Sequence, residues 1–170
     1  MLTTILRTVI FLCTLCATAF AQDITGFWKI LRDDSQQTDC IIAMYEHDGK
    51  FYGRIISTYD RQGVLEDTIY DPKSRAPGLV GNPYYCGLDI IWGLRSESDE
   101  DRYKGKIFDP KKGKVYTAEV WRSGADLIVR GEVWIFGENL VWPPATESDF
   151  PKGFKKPDLK TLVPVKPEVK

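Results

Sequence analysis

The chain is poor in the residues that bind metals and activate nucleophiles, since its 170 residues include one histidine, His47, and four cysteines. Two of these cysteines lie within the first 21 residues, which leaves Cys40 and Cys86 for the rest of the chain. A zinc site needs three or four ligands held close together, which one histidine and two distant cysteines do not provide. We therefore expect no metal site and no cofactor.

Enzyme motifs are missing as well. The sequence has no Gly-x-Ser-x-Gly element, no phosphate-binding loop and no dinucleotide fingerprint. His47 lies beside a predicted hairpin turn, with no second histidine to act as a base. The carboxylates have structural explanations, because Asp109 opens a turn and Glu119 lies between two cations of neighbouring strands. We interpret the chain as a binding protein. An enzyme acting on an envelope component is a further hypothesis, and it has the least support in the sequence.

Two further features are absent, an excess of charge and a long apolar run. The formal net charge is −1, so the chain lacks the basic surface that nucleic-acid binding requires. Residues 9–15 form the first apolar run, far short of the ~20 residues of a membrane-spanning helix. Arg7 precedes this run, and Ala19-Phe20-Ala21 follows it with the small-x-small pattern of a cleavage site.

The amino-terminal pattern predicts a signal peptide over residues 1–21 and a mature chain that begins at Gln22. A retained membrane anchor is the alternative interpretation. We expect an exported protein, periplasmic or extracellular, that does not span the membrane after cleavage. Residues 22–142 then form one domain, and residues 143–170, which hold six of the ten prolines and six lysines, form an extended or disordered tail.

What the domain does contain is alternating hydrophobicity, with no helical period sustained over three turns. This pattern predicts an all-β fold with eight strands, at residues 26–32, 38–46, 51–58, 87–95, 102–109, 114–122, 127–135 and 138–142. Short turns between successive strands are typical of an eight-stranded up-and-down antiparallel barrel of the lipocalin or calycin kind. Such a barrel encloses room for one small ligand, or for side chains alone.

Turn residues set the register of three hairpins. Asp48-Gly49 is a two-residue turn signal that pairs Met44 with Gly53. The turns at residues 109–113 and 123–126 pair Gly105 with Ala118, and Glu119 with Arg130. The longest connection, residues 59–86, lies at one end of the barrel with the 33–37 and 109–113 turns. We therefore predict the mouth at that end, with this loop folded over it and Trp28 forming the floor of the pocket.

Several segments resemble known families. Gly26-Phe27-Trp28, at the predicted closed end, resembles the Gly-x-Trp signature of lipocalins. A closer resemblance, to the secreted bacterial family known as domain of unknown function 2147, covers most of residues 24–142. It is carried by the segments Ile24-Thr25-Gly26-Phe27-Trp28-Lys29, Gly87-Leu88-Asp89-Ile90-Ile91-Trp92-Gly93-Leu94 and Gly105-Lys106-Ile107-Phe108-Asp109-Pro110. The resemblance implies a lipocalin-like barrel in the envelope or outside the cell, and it implies no catalytic residue.

Strand parity selects the candidate site residues. Core packing is one interpretation of the inward aromatic and apolar side chains, and a ligand pocket lined by Trp28, Met44, Trp92, Tyr103 and Tyr116 is the other. Two charged residues of the long loop, Asp71 and Arg75, could gate such a pocket. The leading hypothesis is thus a carrier or sensor of a small apolar or amphipathic ligand.

The alternative is a filled barrel that binds a protein partner through outer-face residues and the tail. The outer-face residues are Val115, Trp121, Ile128 and Trp134, which face a protein partner or lie beneath the tail.

The two remaining cysteines are predicted at the mouth end, with Cys40 opposite Ser57 and Cys86 just before the fourth strand. A disulfide needs Cα atoms about 4.4–6.8 Å apart, and one strand is predicted to lie between the two residues. The sequence therefore leaves both the bonded and the free states open.

Overall fold

The computed structural model describes residues 22–97, 101–110, 112–131 and 139–170. The predicted signal peptide lies outside these residues. The described part folds into nine strands: β1 (Gly26–Leu31), β2 (Thr38–His47), β3 (Lys50–Tyr59), β4 (Leu65–Thr68), β5 (Asp89–Ser96), β6 (Tyr103–Asp109), β7 (Lys114–Ser123), β8 (Asp126–Gly131) and β9 (Asn139–Trp142). Two 3₁₀ turns follow, Glu147–Asp149 and Leu159–Thr161. Among the described residues, no helix has the length and apolar character needed to cross a bilayer.

The strands form one antiparallel barrel, in the order β1-β2-β3-β5-β6-β7-β8-β9, with β4 added to β3. The barrel closes where the chain leaves β9 and pairs with β1. Lys29 N–H donates to the Pro143 carbonyl at 2.9 Å, and Ala145 N–H donates to the Phe27 carbonyl at 2.8 Å. Pro143 fits this junction because its carbonyl accepts the hydrogen bond, so the N–H that proline lacks is not needed there. The predicted eight-stranded barrel is confirmed, and β4 is a strand that the prediction missed.

Hairpin registers agree with the sequence prediction, apart from one shift. The pairs Met44–Gly53, Gly105–Ala118 and Glu119–Arg130 are all present. The predicted pairing of Cys40 with Ser57 is wrong, because a register shift after Ile41 places Cys40 opposite Thr58. A bulge adds one residue to one strand of a pair, and alternation along each strand alone does not reveal it.

The closed half of the barrel is filled with side chains. Trp28, Met44, Leu94 and Tyr103 are buried there in one apolar cluster with the inner residues of the other strands. The Trp28 indole donates to the Ile24 carbonyl at 3.1 Å, so the buried ring has its polar atom satisfied. This half forms a packed base beneath the mouth.

Residues 143–170 are extended and lie across the outer face of β1, β2 and β3. The second apolar cluster joins residues of these strands to the tail: Phe27, Ile41, Ala43, Ile56 and Tyr59 with Phe150, Phe154, Leu159 and Leu162. Residues 40–45 are therefore buried on both sides of β2, which explains their continuous run of mostly apolar residues.

Cover by the tail was one of two interpretations of the outer face of β7 and β8, and among the described residues the tail's apolar cluster includes no residue of these strands. Its apolar residues contact the first three strands instead. The Trp121 ring is covered by the Arg102 guanidinium, 4.2 Å from the ring centroid. Trp134 lies outside the described residues.

Candidate functional site

The mouth half of the barrel encloses a cavity of about 1000 Å³. Its walls are largely apolar and come from strands on both sides of the barrel, including Ile30, Cys40, Ile55, Ile90, Ile107, Phe108, Leu140 and Trp142. The long connection contributes Tyr59, Arg61, Glu66, Ser74 and Tyr85 to the lining. The cavity thus lies at the end of the barrel that the sequence predicted as the mouth, and the loop supplies much of its polar rim.

Only one of the seven candidate residues lines this cavity, namely Tyr116. Trp28 and Met44 are buried in the packed base, and Trp92 packs against the same cluster. The Tyr103 hydroxyl donates to the Gln22 carbonyl at 3.3 Å, also away from the mouth. Parity placed Trp28, Met44 and Tyr103 inside the barrel correctly, but it did not tell which half of the barrel is empty. The inward prediction for Trp92 is wrong, because register shifts around β5 pair Trp92 with Lys106 of the outer face. Trp28 therefore plugs the closed end and does not form the floor of the cavity.

The two candidate gating residues hold the long loop in shape and do not line the cavity. Asp71 pairs with Lys73 on the surface, with 3.2 Å between Oδ2 and Nζ. The Arg75 guanidinium stacks on the Tyr84 ring at 3.6 Å and donates to the Asn82 carbonyl at 3.1 Å. Both side chains are engaged by neighbours in sequence, so the loop is internally packed.

Trp142 is one of the cavity residues that sequence reasoning missed. It lies on β9 opposite Leu127 and is 2% exposed. Its indole Nε1 is buried and has no hydrogen-bond partner among the described residues. A buried donor without an acceptor costs about 1–3 kcal/mol. The pairing of Val129 with Leu140 could have predicted its inward orientation, since Trp142 and Leu140 share one face.

Arg32 joins the 33–37 turn to the end of β3. Its guanidinium forms a 2.7 Å ion pair with Asp39 and donates to the Tyr59 carbonyl. These contacts hold one side of the mouth in place. Among the described residues, no group of three histidine, cysteine or carboxylate side chains could hold a metal ion.

Cys40 and Cys86 are both buried, and the structure shows both as free thiols. Cys40 lies on β2, whereas the chain just after Cys86 bonds to Ile55 of β3. β3 therefore lies between the two cysteines, as the sequence predicted. Burial raises the pKa of Cys86 to about 12, and it raises the pKa of Cys40 as well.

We expect both thiols to react slowly with iodoacetamide at pH 8 in the native protein. An unfolded cysteine, with the ordinary pKa of 9.0, is partly thiolate at this pH, whereas the raised pKa keeps the folded thiols protonated. Labelling in denaturant should therefore be at least about tenfold faster, as mass spectrometry would measure. Two cysteines that stay unlabelled in denaturant until a reductant is added would instead show a disulfide.

A second cluster of charged residues lies on the outer face, beneath the tail. Asp89 is fully buried and accepts bonds from Arg54 at 3.1 and 3.0 Å and from the Tyr45 hydroxyl at 2.9 Å. It also accepts from the Val165 N–H, and Arg54 donates to the Val163 carbonyl. Burial, with the Asp89 charge nearby, raises the pKa of Tyr45. Every member has protein partners, so this cluster anchors the tail and offers no binding group.

Comparison with solved structures finds a similar fold in protein HP1028 from the human pathogen Helicobacter pylori, described as belonging to the lipocalin family. The two share 18% identity, with a TM-score of 0.55 over 75% of this chain and 86% of that chain. This similarity supports the lipocalin-like barrel. Comparison with curated proteins finds no match. A family model described as an uncharacterized protein conserved in bacteria, DUF2147, matches residues 26–143, and the chain therefore belongs to the DUF2147 family.

Proposed function

We propose that this protein binds a small apolar or amphipathic molecule in the mouth cavity, as an exported carrier or sensor of the bacterial envelope. The observation that carries the proposal is the cavity of about 1000 Å³ with apolar walls at one end of the barrel. Small-molecule sites have volumes of about 300–1,000 Å³ and apolar linings with a few polar groups. The amino-terminal pattern of residues 1–21 supports export.

The architecture suits binding of this kind. The walls belong to strands, which hold side chains more precisely than loops do. The packed base, centred on Trp28 and Met44, limits the cavity to the mouth half. The alternative, a barrel filled with side chains that works through outer tryptophans and the tail, loses support because the mouth half is hollow and the tail packs on its own barrel.

Filling the cavity should abolish binding. Ile107 lines the cavity, and Val115 lies on the paired strand β7 with 39% of its surface exposed. We expect wild-type protein to bind the apolar fluorophore N-phenyl-1-naphthylamine and Ile107→Trp to weaken that binding by at least about tenfold, equivalent to ~1.4 kcal/mol. The matched control Val115→Trp adds the same bulk outside the barrel and should leave the affinity unchanged.

Circular dichroism would establish that both variants are folded. Wild-type protein that binds no fluorophore, or a folded Ile107→Trp variant with wild-type affinity, would contradict the proposal.

A further inference from the structure

We propose that the ligand of this cavity is a cationic amphipath, with its apolar chain inside the barrel and its positive headgroup at the rim. The inference rests on the proposed function and deepens it. It names the chemical class that the lining selects.

The first observation is the sign of the charges around the mouth. The described lining residues include five carboxylates, those of Asp33, Asp34, Asp39, Glu66 and Asp109, against two guanidinium groups, those of Arg32 and Arg61. Arg32 is already paired with Asp39 at 2.7 Å. Lys112 lies near the mouth, with its Nζ 6.0 Å from the Tyr116 ring centroid, and the carboxylates outnumber the cations even when it is included. A cleft lined by one sign of charge concentrates ligands of the opposite sign.

The second observation separates an organic cation from a metal ion. Calcium and magnesium need several oxygen ligands within about 2.0–2.6 Å of one point. No cluster suited to a metal ion occurs among the residues described. The carboxylates are instead spread around the rim of a cavity whose walls are apolar. Dispersed negative charge above an apolar cavity matches a large cation with a hydrocarbon chain.

The third observation is the aromatic part of the lining. Tyr85 and Tyr116 line the cavity, and their ring faces attract ammonium groups.

The test compares ligands of one chain length and different charge. Decyltrimethylammonium, decanoate and 1-decanol, each below its micelle concentration or solubility limit, would compete with bound N-phenyl-1-naphthylamine at low ionic strength. We expect the cation to displace the fluorophore at about tenfold lower concentration than decanoate, with decanol between them. Raising the salt to ~0.5 M should reduce the difference, because exposed charges are then screened within a few ångströms.

Paired variants assign the preference to named groups. Asp33→Asn with Asp34→Asn should lower the cation preference about threefold or more, whereas Asp48→Asn with Asp126→Asn, in turns at the closed end, should not change it.

The outcomes distinguish this inference from the proposed function. If N-phenyl-1-naphthylamine does not bind wild-type protein, the proposed function itself fails. If it binds but the cation and decanoate displace it equally, or decanoate does so better, only the cationic assignment is overturned.

Discussion

Asp89→Ala is expected to lower the free energy of unfolding by about 3–5 kcal/mol, because it leaves a buried guanidinium without its counter-ion. Asp89 is fully buried and binds Arg54 through two hydrogen bonds at 3.1 and 3.0 Å. The same carboxylate accepts from the Tyr45 hydroxyl and from the Val165 N–H of the tail. One substitution therefore disrupts an ion pair, a tyrosine contact and the attachment of residues 163–165.

Urea unfolding measures the effect on stability, and limited trypsin digestion measures the attachment of the tail. We expect faster cleavage after Lys160 in the variant than in wild-type protein. The matched control is Asp71→Ala, which removes an exposed pair with Lys73 and should cost less than about 0.5 kcal/mol.

A double-mutant cycle with Arg54→Ala tests the stated reason. Once Arg54 is gone, no buried guanidinium is left unpaired, so the double variant should be more stable than the two single costs predict by at least ~1 kcal/mol. Additive costs, or a cost below about 1 kcal/mol for Asp89→Ala, would show that the pair does not anchor this face.

Gly105→Ala is expected to cost about 3 kcal/mol or more, against about 1 kcal/mol for Gly53→Ala. Both glycines occupy the same place in an aromatic-x-Gly-basic-Ile segment and face the barrel interior. A methyl group on Gly105 would lie 2.8 Å from the Leu94 nitrogen and from the Trp92 carbonyl oxygen, both of which are backbone atoms. On Gly53 it would lie 2.8 Å from the Met44 sulfur, 3.1 Å from the Ile91 Cβ and 3.2 Å from the Ile42 Cγ2. All three are side-chain atoms: the unbranched methionine can shift, and the two isoleucines need to give only a few tenths of an ångström.

The physical cause is a bulge in β5. Register is lost between Trp92 and Arg95, and Gly93 has a φ of +67°, so the backbone of β5 is pressed against Gly105. Thermal and urea unfolding of the two alanine variants, in parallel with wild-type protein, would give the comparison. Equal destabilisation by the two substitutions would contradict the backbone contact as the cause.

Much of the barrel could be predicted from the sequence, because its determinants are local. Alternation locates a strand from its own residues, and a two-residue turn such as Asp48-Gly49 sets the register of the strands on either side. Met44 opposite Gly53 and Gly105 opposite Ala118 followed from such turns. The position of the mouth followed from loop lengths, since successive antiparallel strands place alternate connections at the same end.

The site required the tertiary structure, because it depends on contacts between residues distant in sequence. Alternation placed Trp28 and Tyr116 inside the barrel, but only the packing of all eight strands decides that Trp28 lies in a filled base and Tyr116 beside a cavity.

The burial of charged residues on the outer face also depends on contacts between residues distant in sequence. Arg54 and Asp89 are 35 positions apart, on strands that could have faced solvent. They are buried because the tail, which composition predicted only as extended or disordered, crosses β2 and β3 and supplies the backbone groups of Val163 and Val165. The alternation of residues along a strand determines where the strand lies and which side chains share a face. Whether a face is buried depends on which distant segment of the chain packs on it.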